Sequence, residues 1–402
     1  MTSYKNSDPV PEVLQGEVLS RLPRDTWDLP PWNRWSFQHV ADFLETAPVP
    51  GPEHTLALPV EPIALEATPL SLPDLGRVDL AALLEETYCD GCLVWHDGRV
   101  IFERYFNGMT GSTLHLSQSM AKSVTAAAAG VLIGEGKLDP ASMLVDYLPS
   151  LADTGYADAT LRHVLDMTSG VKYVEDYEAQ DSDVYVTDVA AGWRPPREGT
   201  AALNTIRDQI LTLRERTAAH GVRWLYRSIE TDVLAHCMEA AAGEKLTSLV
   251  SRLVWQPMGA GQAANFTVDA DGYGLACGGL NATLRDYARF GLLYLNSGRN
   301  LAGEQVIPAD WVADTRVGNH EHFAVTGSAG LPDGAYRNQF WIEDSVNRAI
   351  MCVGIFGQLI YLQPDRDFMF VKLSTWPTSL NPSFKVDTLA AIHQLMDHLD
   401  AN

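Results

Sequence analysis

Ser119-Met120-Ala121-Lys122, followed by Ser123-Val124-Thr125-Ala126-Ala127-Ala128-Ala129-Gly130-Val131-Leu132-Ile133, decides the reading of this chain. Residues three apart share a helix face. The stretch therefore sets a hydroxyl beside an amine at the start of a run that is apolar nearly all round, and such a run reads as a buried helix. A serine becomes a useful nucleophile when a base within hydrogen-bond reach takes its proton, and Lys122 stands in that place. The same spacing recurs at Ser169-Gly170-Val171-Lys172, where the serine sits in a turn-like Thr-Ser-Gly. Only Ser119 precedes a buried helix. The plain alternative is that Ser119 caps the helix and does nothing else.

A lysine is protonated at neutral pH, so a basic role needs burial or a partner that shares the proton. Tyr226, in Arg223-Trp224-Leu225-Tyr226-Arg227-Ser228, is the candidate partner, with Ser228 expected to cap the helix that follows. A tyrosinate there would receive the serine proton and pass it to a leaving amine or alkoxide; otherwise Tyr226 is simply packed. Acyl transfer also needs two N–H donors for the oxyanion, each commonly worth about 2.7 to 4 kcal/mol. One would be the Ser119 N–H. For the other, Cys352-Val353-Gly354-Ile355-Phe356-Gly357-Gln358 offers a strand edge where glycine lets the backbone come close, and we expect the Ile355 N–H, beside Gly354.

These elements sit in a chain of 402 residues, long enough for two lobes. Residues 1–75, rich in proline and tryptophan, read as an extended arm over a folded body. Cys92 to Tyr105 holds two strand-like runs joined by Asp97-Gly98, a hairpin signal. From Ser119 to about Gly291 the pattern is helical, notably at Thr160–Met167, Ile206–Leu213, Ile229–Ala242 and Leu284–Leu295. Strand patterns return at Gln339–Ile342, Ala349–Val353, Gln358–Leu362 and Phe368–Leu373, before a helical tail from Val386 to Leu399. We expect a discontinuous sheet lobe from residues 1–118 and 296–402, with a mainly helical lobe, 119–295, inserted between.

Lysines and arginines number 29 against 51 aspartates and glutamates, a net charge of −22. This disfavours nucleic acid and anionic membrane as partners. Five cysteines with a single Cys-x-x-Cys, Cys89 to Cys92, make a poor zinc site and suggest a reduced, cytoplasmic setting. Met1 to Pro9 holds no apolar stretch and no run of about 18 apolar residues occurs, so neither secretion nor membrane insertion is expected. Asp181-Ser182-Asp183 lacks the glycine and glutamate of a calcium loop, Gly259-Ala260-Gly261 follows no strand, and His320-Glu321-His322 has the wrong spacing for zinc. No metal and no cofactor are expected. The aromatic arm hints at a homodimer.

Taken together and in order, Ser119-x-x-Lys122, Tyr226-x-Ser228 and Gly354-Ile355 resemble the S-x-x-K, Tyr-x-Asn and Lys-Thr-Gly elements of the serine β-lactamase and penicillin-binding-protein superfamily. The resemblance spans about residues 90–375. It includes Leu161-Arg162-His163-Val164-Leu165 before Thr168-Ser169-Gly170, Trp255-Gln256-Pro257-Met258-Gly259, and Gly278-Gly279-Leu280 before Thr283 to Phe290. It is nearest to class C β-lactamase-like esterases and amidases, in their nylon-oligomer hydrolase branch. It implies a β-lactamase-like fold, an antiparallel sheet flanked by helices plus an all-helical lobe, and a serine hydrolase working on small amides or esters through an acyl-enzyme. Two departures bear on substrate: Ser228 replaces the asparagine, and no cation precedes Ile355. Efficient β-lactam hydrolysis is therefore not expected. Residues 175–188 instead carry six carboxylates and no lysine or arginine, which favours a cationic substrate group if the segment borders the site and is a solvated surface if it does not. The resemblance assigns Asp188 to a substrate ammonium, Trp193 to closure over the bound chain, and Tyr177 to the leaving nitrogen. A promiscuous carboxylesterase, a weak β-lactamase or D-peptidase, and a catalytically silent binding protein are the rival readings.

Overall fold

A computed structural model describes residues 2–179, 181–196, 203–325 and 330–401. Thirteen strands occur among them: β1 Thr46–Val49, β2 Pro69–Leu72, β3 Gly76–Asp79, β4 Cys89–His96, β5 Arg99–Tyr105, β6 His115–Leu116, β7 Ala264–Thr267, β8 Leu280–Ala282, β9 Ala335–Arg337, β10 Phe340–Ile342, β11 Ile350–Gly354, β12 Gln358–Gln363 and β13 Phe368–Ser374. The main sheet runs β5-β4-β13-β12-β11-β10-β9, antiparallel throughout. It unites strands from both ends of the sequence, as the patterns at Cys92–Tyr105 and Gln339–Leu373 imply. Asp97 and Gly98 both have positive φ, +48° and +78°, the conformation that two-residue hairpin turns demand.

Side chains alternate across this sheet with period two. Leu93, Trp95, Ile360, Leu362, Met369 and Val371 enter one core with the helix Met120–Gly134. Cys92, Val94, Tyr361, Phe368 and Phe370 enter another with Ile392 and Leu395 of the tail helix Pro382–Asp400. That tail helix starts at Asn381, whose side chain accepts from the Phe384 N–H at 3.1 Å. The helix Leu284–Leu295 also lies on the sheet, because a side chain on Gly291 would strike Met369, Ile360 and Leu362.

Two features depart from the reading of residues 119–295 as helical. Short strands β7 and β8 lie inside that range and form a second sheet, ordered β1-β7-β8-β6, with the arm and the segment leading to Ser119. Leu284–Leu295 packs on the main sheet, so we propose to group it with the sheet lobe. The arm is also more than an extended cover: it contains 3-10 turns and a short helix, Asn33–Ser36. Trp27 and Arg34 are buried, and Arg34 pairs with buried Asp90 at 2.7 Å. Among the described residues, no helix is long and apolar enough to cross a membrane. All five cysteines are free and buried.

Candidate active site

Ser119 stands at the N-terminus of the helix Met120–Gly134, and its side chain caps nothing. The helix is an alanine run buried on nearly every side, so it is held rigidly where the serine emerges. One turn on, Lys122 is 1% exposed. Its Nζ donates to Ser119 Oγ at 2.8 Å and to the Cys277 carbonyl at 2.6 Å, and lies 5.2 Å from the centre of the Tyr226 ring. The Tyr226 phenol is near enough to Ser119 and Lys122 for both to act on its proton. The three side chains named from sequence thus meet, across 107 positions of chain between Ser119 and Tyr226.

The proton inventory of this cluster follows from its surroundings. Burial pulls Lys122 down, yet Tyr226, Cys277 and Glu175 oppose this and hold the amine above the ordinary lysine value. Burial pushes the Tyr226 phenol up; Lys122 pulls it back, Glu175 adds to the rise, and the balance is upward. The resting pair is therefore an ammonium and a neutral phenol. With Lys122 already donating to Ser119, an ionised Tyr226 would be the group able to accept the serine proton. The ammonium would then be placed to stabilise the phenolate and an oxyanion forming nearby.

Gly354, the last residue of β11, explains how the sheet edge reaches the serine. A Cβ at this position would lie 2.6 Å from the Ser117 carbonyl oxygen and 3.1 Å from Gln118 Cβ. Only glycine allows that approach. Ile355 follows immediately and lines the same cleft as Ser119. Among the described residues, neither the Ser119 nor the Ile355 N–H donates to a backbone carbonyl in a turn, loop or cap.

The cleft has a volume of about 730 Å³. Asp176, Tyr177, Glu178, Val184 and Asp188 line it, so the acidic segment does border the serine. Asp188, however, is engaged internally: Arg194 Nε donates to it at 2.9 Å and Arg194 Nη2 to Asp28 at 2.6 Å. Burial raises the Asp188 carboxyl to about 6, with Arg194 pulling down and Asp28 pushing up. Trp193 lines the cleft but is pinned, not poised: its indole N–H donates to Thr267 Oγ1 at 2.9 Å, and its carbonyl accepts from the Trp27 indole at 2.9 Å. The expected closing motion has to contend with both bonds. Tyr177 donates its hydroxyl proton to Glu175 at 2.7 Å. Ser228 does not cap its helix; its hydroxyl and N–H both go to Glu175. The second Ser-x-x-Lys is dispersed, with Ser169 turned to Glu230 and Lys172 paired with Glu215 at 2.8 Å on the surface.

Sequence reasoning missed Arg194 and the arm residues Asp25 and Asp28, which also line the cleft, and counted Glu175 only as one acid of the 175–188 segment. Arg194 and Asp28 are 166 positions apart, and nothing local pairs them. The signal was an excess of acid in a segment followed closely by Arg194 and Arg197.

The sequence model of the family described as Beta-lactamase matches residues 87–395, which include Ser119, Lys122, Tyr226, Gly354 and Ile355. The chain belongs to the beta-lactamase family. It is accordingly a serine hydrolase, of a family that works through an acyl-enzyme. It is 35% identical over 370 residues to the 6-aminohexanoate-dimer hydrolase of Paenarthrobacter ureafaciens, covering 91% of each chain. The solved structure of a putative 6-aminohexanoate-dimer hydrolase from Bacillus anthracis superposes with a TM-score of 0.87 at 28% identity, over 95% of this chain and 98% of the other. A penicillin binding protein from Bacillus halodurans shares the fold, with a TM-score of 0.60 at 17% identity, over 78% of this chain and 98% of that one.

Proposed function

We propose that this beta-lactamase-family hydrolase cleaves small linear amides and esters through an acyl-enzyme on Ser119, with amine-bearing substrates such as the linear 6-aminohexanoate dimer preferred. The observation that carries the reading is the contact of Lys122 Nζ with Ser119 Oγ at 2.8 Å beside the Tyr226 phenol. Tyr226 would accept the serine proton, and the Ser119 and Ile355 N–H groups would hold the oxyanion. Substrate class is supported by the cleft wall. Among the described residues, Asp25, Asp28, Asp176, Glu178 and Asp188 line it against one cation, Arg194, while Leu29, Val184, Trp193, Leu275 and Ile355 add apolar surface. That combination suits a methylene chain ending in an ammonium. The 35% identity to a 6-aminohexanoate-dimer hydrolase points the same way.

A carboxylesterase with little β-lactamase activity is the second reading. It is favoured by Ser228 in the place of asparagine and by the absence of a cation before Ile355. The acidic composition and the buried free thiols support a cytoplasmic enzyme, and a homodimer through the aromatic arm remains part of the proposal. Incubating purified protein with the linear dimer, a p-nitrophenyl ester and nitrocefin tests the scheme. Cleavage of the dimer and the ester with nitrocefin intact is expected. Turnover of the ester alone moves the assignment to the carboxylesterase, and no fluorophosphonate adduct on Ser119 removes the hydrolase mechanism altogether.

A further inference from the structure

A second cavity, of about 220 Å³, lies beside the turn that leads to Tyr226. Arg162, His163, Asp166, Trp224, His322 and Arg337 are among the residues that line it. The groups they leave unspent are chiefly N–H donors. The buried indole N–H of Trp224 has no partner. The Thr160 N–H donates to His163 Nδ1 at 3.0 Å, which fixes the neutral tautomer with its proton on Nε2. Burial and the nearby His220 keep that imidazole below its ordinary value. Among the described residues nothing accepts from Nε2, and it lies against cavity-lining Gly221, where a Cβ would stand 3.2 Å from it. Arg162 spends only its Nη1, on Asn338 at 2.6 Å, on Asp166 at 3.4 Å and on Asp314 at 3.5 Å.

The acceptors of the same wall are taken. Asp166 Oδ1 receives the Asn338 N–H at 3.2 Å as well as Arg162, and Oδ2 receives Arg337 at 2.8 Å. Asn319 Oδ1 receives the His322 N–H at 3.0 Å. Arg162 and Arg337 are balanced by Asp166 and Asp314, so this wall carries no surplus of acid in a chain of net charge −22. Unpaired N–H groups in a buried pocket call for an acceptor, and a carboxylate takes charge-assisted bonds on both of its oxygens. At about 30 Å³ for each water-sized group, the space holds a chain of about seven heavy atoms.

We propose that this cavity is an effector site for a short-chain carboxylate, held by the Trp224 and His163 N–H groups and by Arg162, whose binding slows the reaction at Tyr226. The rate effect rests on the acyl-enzyme reading above; the binding does not. The Trp224 and Tyr226 rings are 6.4 Å apart, and they lie against Trp341 at 5.3 and 5.4 Å. An anion fixed on the indole stands near a phenol that must itself become an anion to take the serine proton. Like charges in a buried site oppose that ionisation. Hydrolysis of an amide or ester releases a carboxylate, so the effector belongs to the chemical class of the product and restrains turnover as product accumulates.

The test uses the full chain with sodium butyrate as the probe, and butyramide and sodium chloride as controls for charge and ionic strength. Among the nitrogen–proton correlation NMR signals of the ten tryptophan indoles, the one missing from Trp224→Phe reports on this cavity. Butyrate should move that signal to saturation, butyramide and chloride should leave it in place, and Arg162→Gln should raise the butyrate Kd by about fivefold or more. In p-nitrophenyl ester hydrolysis butyrate should lower kcat by about threefold or more with KM unchanged, and Trp224→Phe should lose that response. An unmoved indole signal, or one moved equally by butyramide, overturns the site. A rise in KM alone, or the same fall in kcat in Trp224→Phe, assigns butyrate to the main cleft and overturns the effector role. If Trp224→Phe does not fold, calorimetric titration of butyrate and butyramide into wild type and Arg162→Gln decides, and equal affinities in the two proteins overturn the site. Wild type that binds butyrate but turns over no ester overturns the acyl-enzyme reading and the rate effect, and leaves the binding site standing.

Discussion

Gly354→Ala is the sharpest probe of the oxyanion geometry, because the clash it creates is with backbone. Its Cβ would stand 2.6 Å from the Ser117 carbonyl oxygen and 3.0 Å from Gln358 Cβ. A relaxed carbon–oxygen contact is about 3.3 Å or longer, so either the strand edge or the segment before Ser119 must retreat by about 0.7 Å. Oxyanion donors act at about 2.7–3.1 Å, and a retreat of that size takes the Ile355 N–H out of range. The loss of one such donor costs about 10² to 10³ in kcat. Overpacking adds a stability loss of about 1–3 kcal/mol, which a thermal melt reports separately. The assay is burst and steady-state hydrolysis of a p-nitrophenyl ester, with the rate of fluorophosphonate labelling of Ser119 as a second readout. A folded Gly354→Ala protein with kcat within about threefold of wild type would refute the reasoning, since loss of the donor calls for at least 10².

The proton-transfer cluster makes two more claims. Tyr226→Phe should slow acylation by about 10² to 10⁴, and an unchanged single-turnover rate would demote the phenol to packing. Because Lys122 and Tyr226 are both held above their ordinary values, the base form grows only as pH rises. Background-corrected kcat/KM for the ester should therefore climb from pH 7 to 9, and a flat profile over that range contradicts the inventory. Lys122→Met should abolish turnover while Lys172→Met leaves it intact, since the Lys172–Glu215 pair is exposed and screened by solvent; equal effects would undo the choice between the two Ser-x-x-Lys matches. Asp232 is held by burial at about 7 in the fold, against an ordinary value of 3.8. Between those values the folded state keeps a proton that the unfolded chain has lost, so this group's contribution makes stability fall as pH rises through the window and level off above it. Melting at pH 5, 6, 7 and 8 should show that fall in wild type and a flatter dependence in Asp232→Asn; identical slopes would exclude Asp232 as its source.

What could be read from the chain was whatever local pattern records. The helices Ile229–Ala242 and Leu284–Leu295 have the ends their periodicity implied, and the Asp97-Gly98 hairpin was visible because positive φ at both positions has few residue choices. Strands β7, β8 and β9 were not visible: three or four residues are too few for alternation to show, and β7 and β8 gain their pairing from β1 and β6, which lie more than 140 positions away. The site divides along the same line. Ser119 and Lys122 are neighbours on one helix, so their contact was legible, and Tyr226 and Ile355 were reached through motif order. Partners joined only by tertiary packing left no trace, which is why the pairing of Asp188 with Arg194 was not anticipated.

The partnership of Arg194 changes what Asp188 can do. Two carboxylates, Asp28 and Asp188, share one guanidinium, so the group carries one net negative charge in place of the two its acids alone would have. A substrate ammonium entering this corner would share the acids with Arg194 or displace it, and displacement would free the turn that holds Trp193 against Trp27. Under the proposed function, binding of an amine-bearing chain would be coupled to loosening of the tryptophan through this salt-bridge network, and closure over the chain would start from the breaking of Arg194's contacts with the arm. The specificity of this corner therefore belongs to the arm and the acidic segment together, because neither supplies the charge balance by itself.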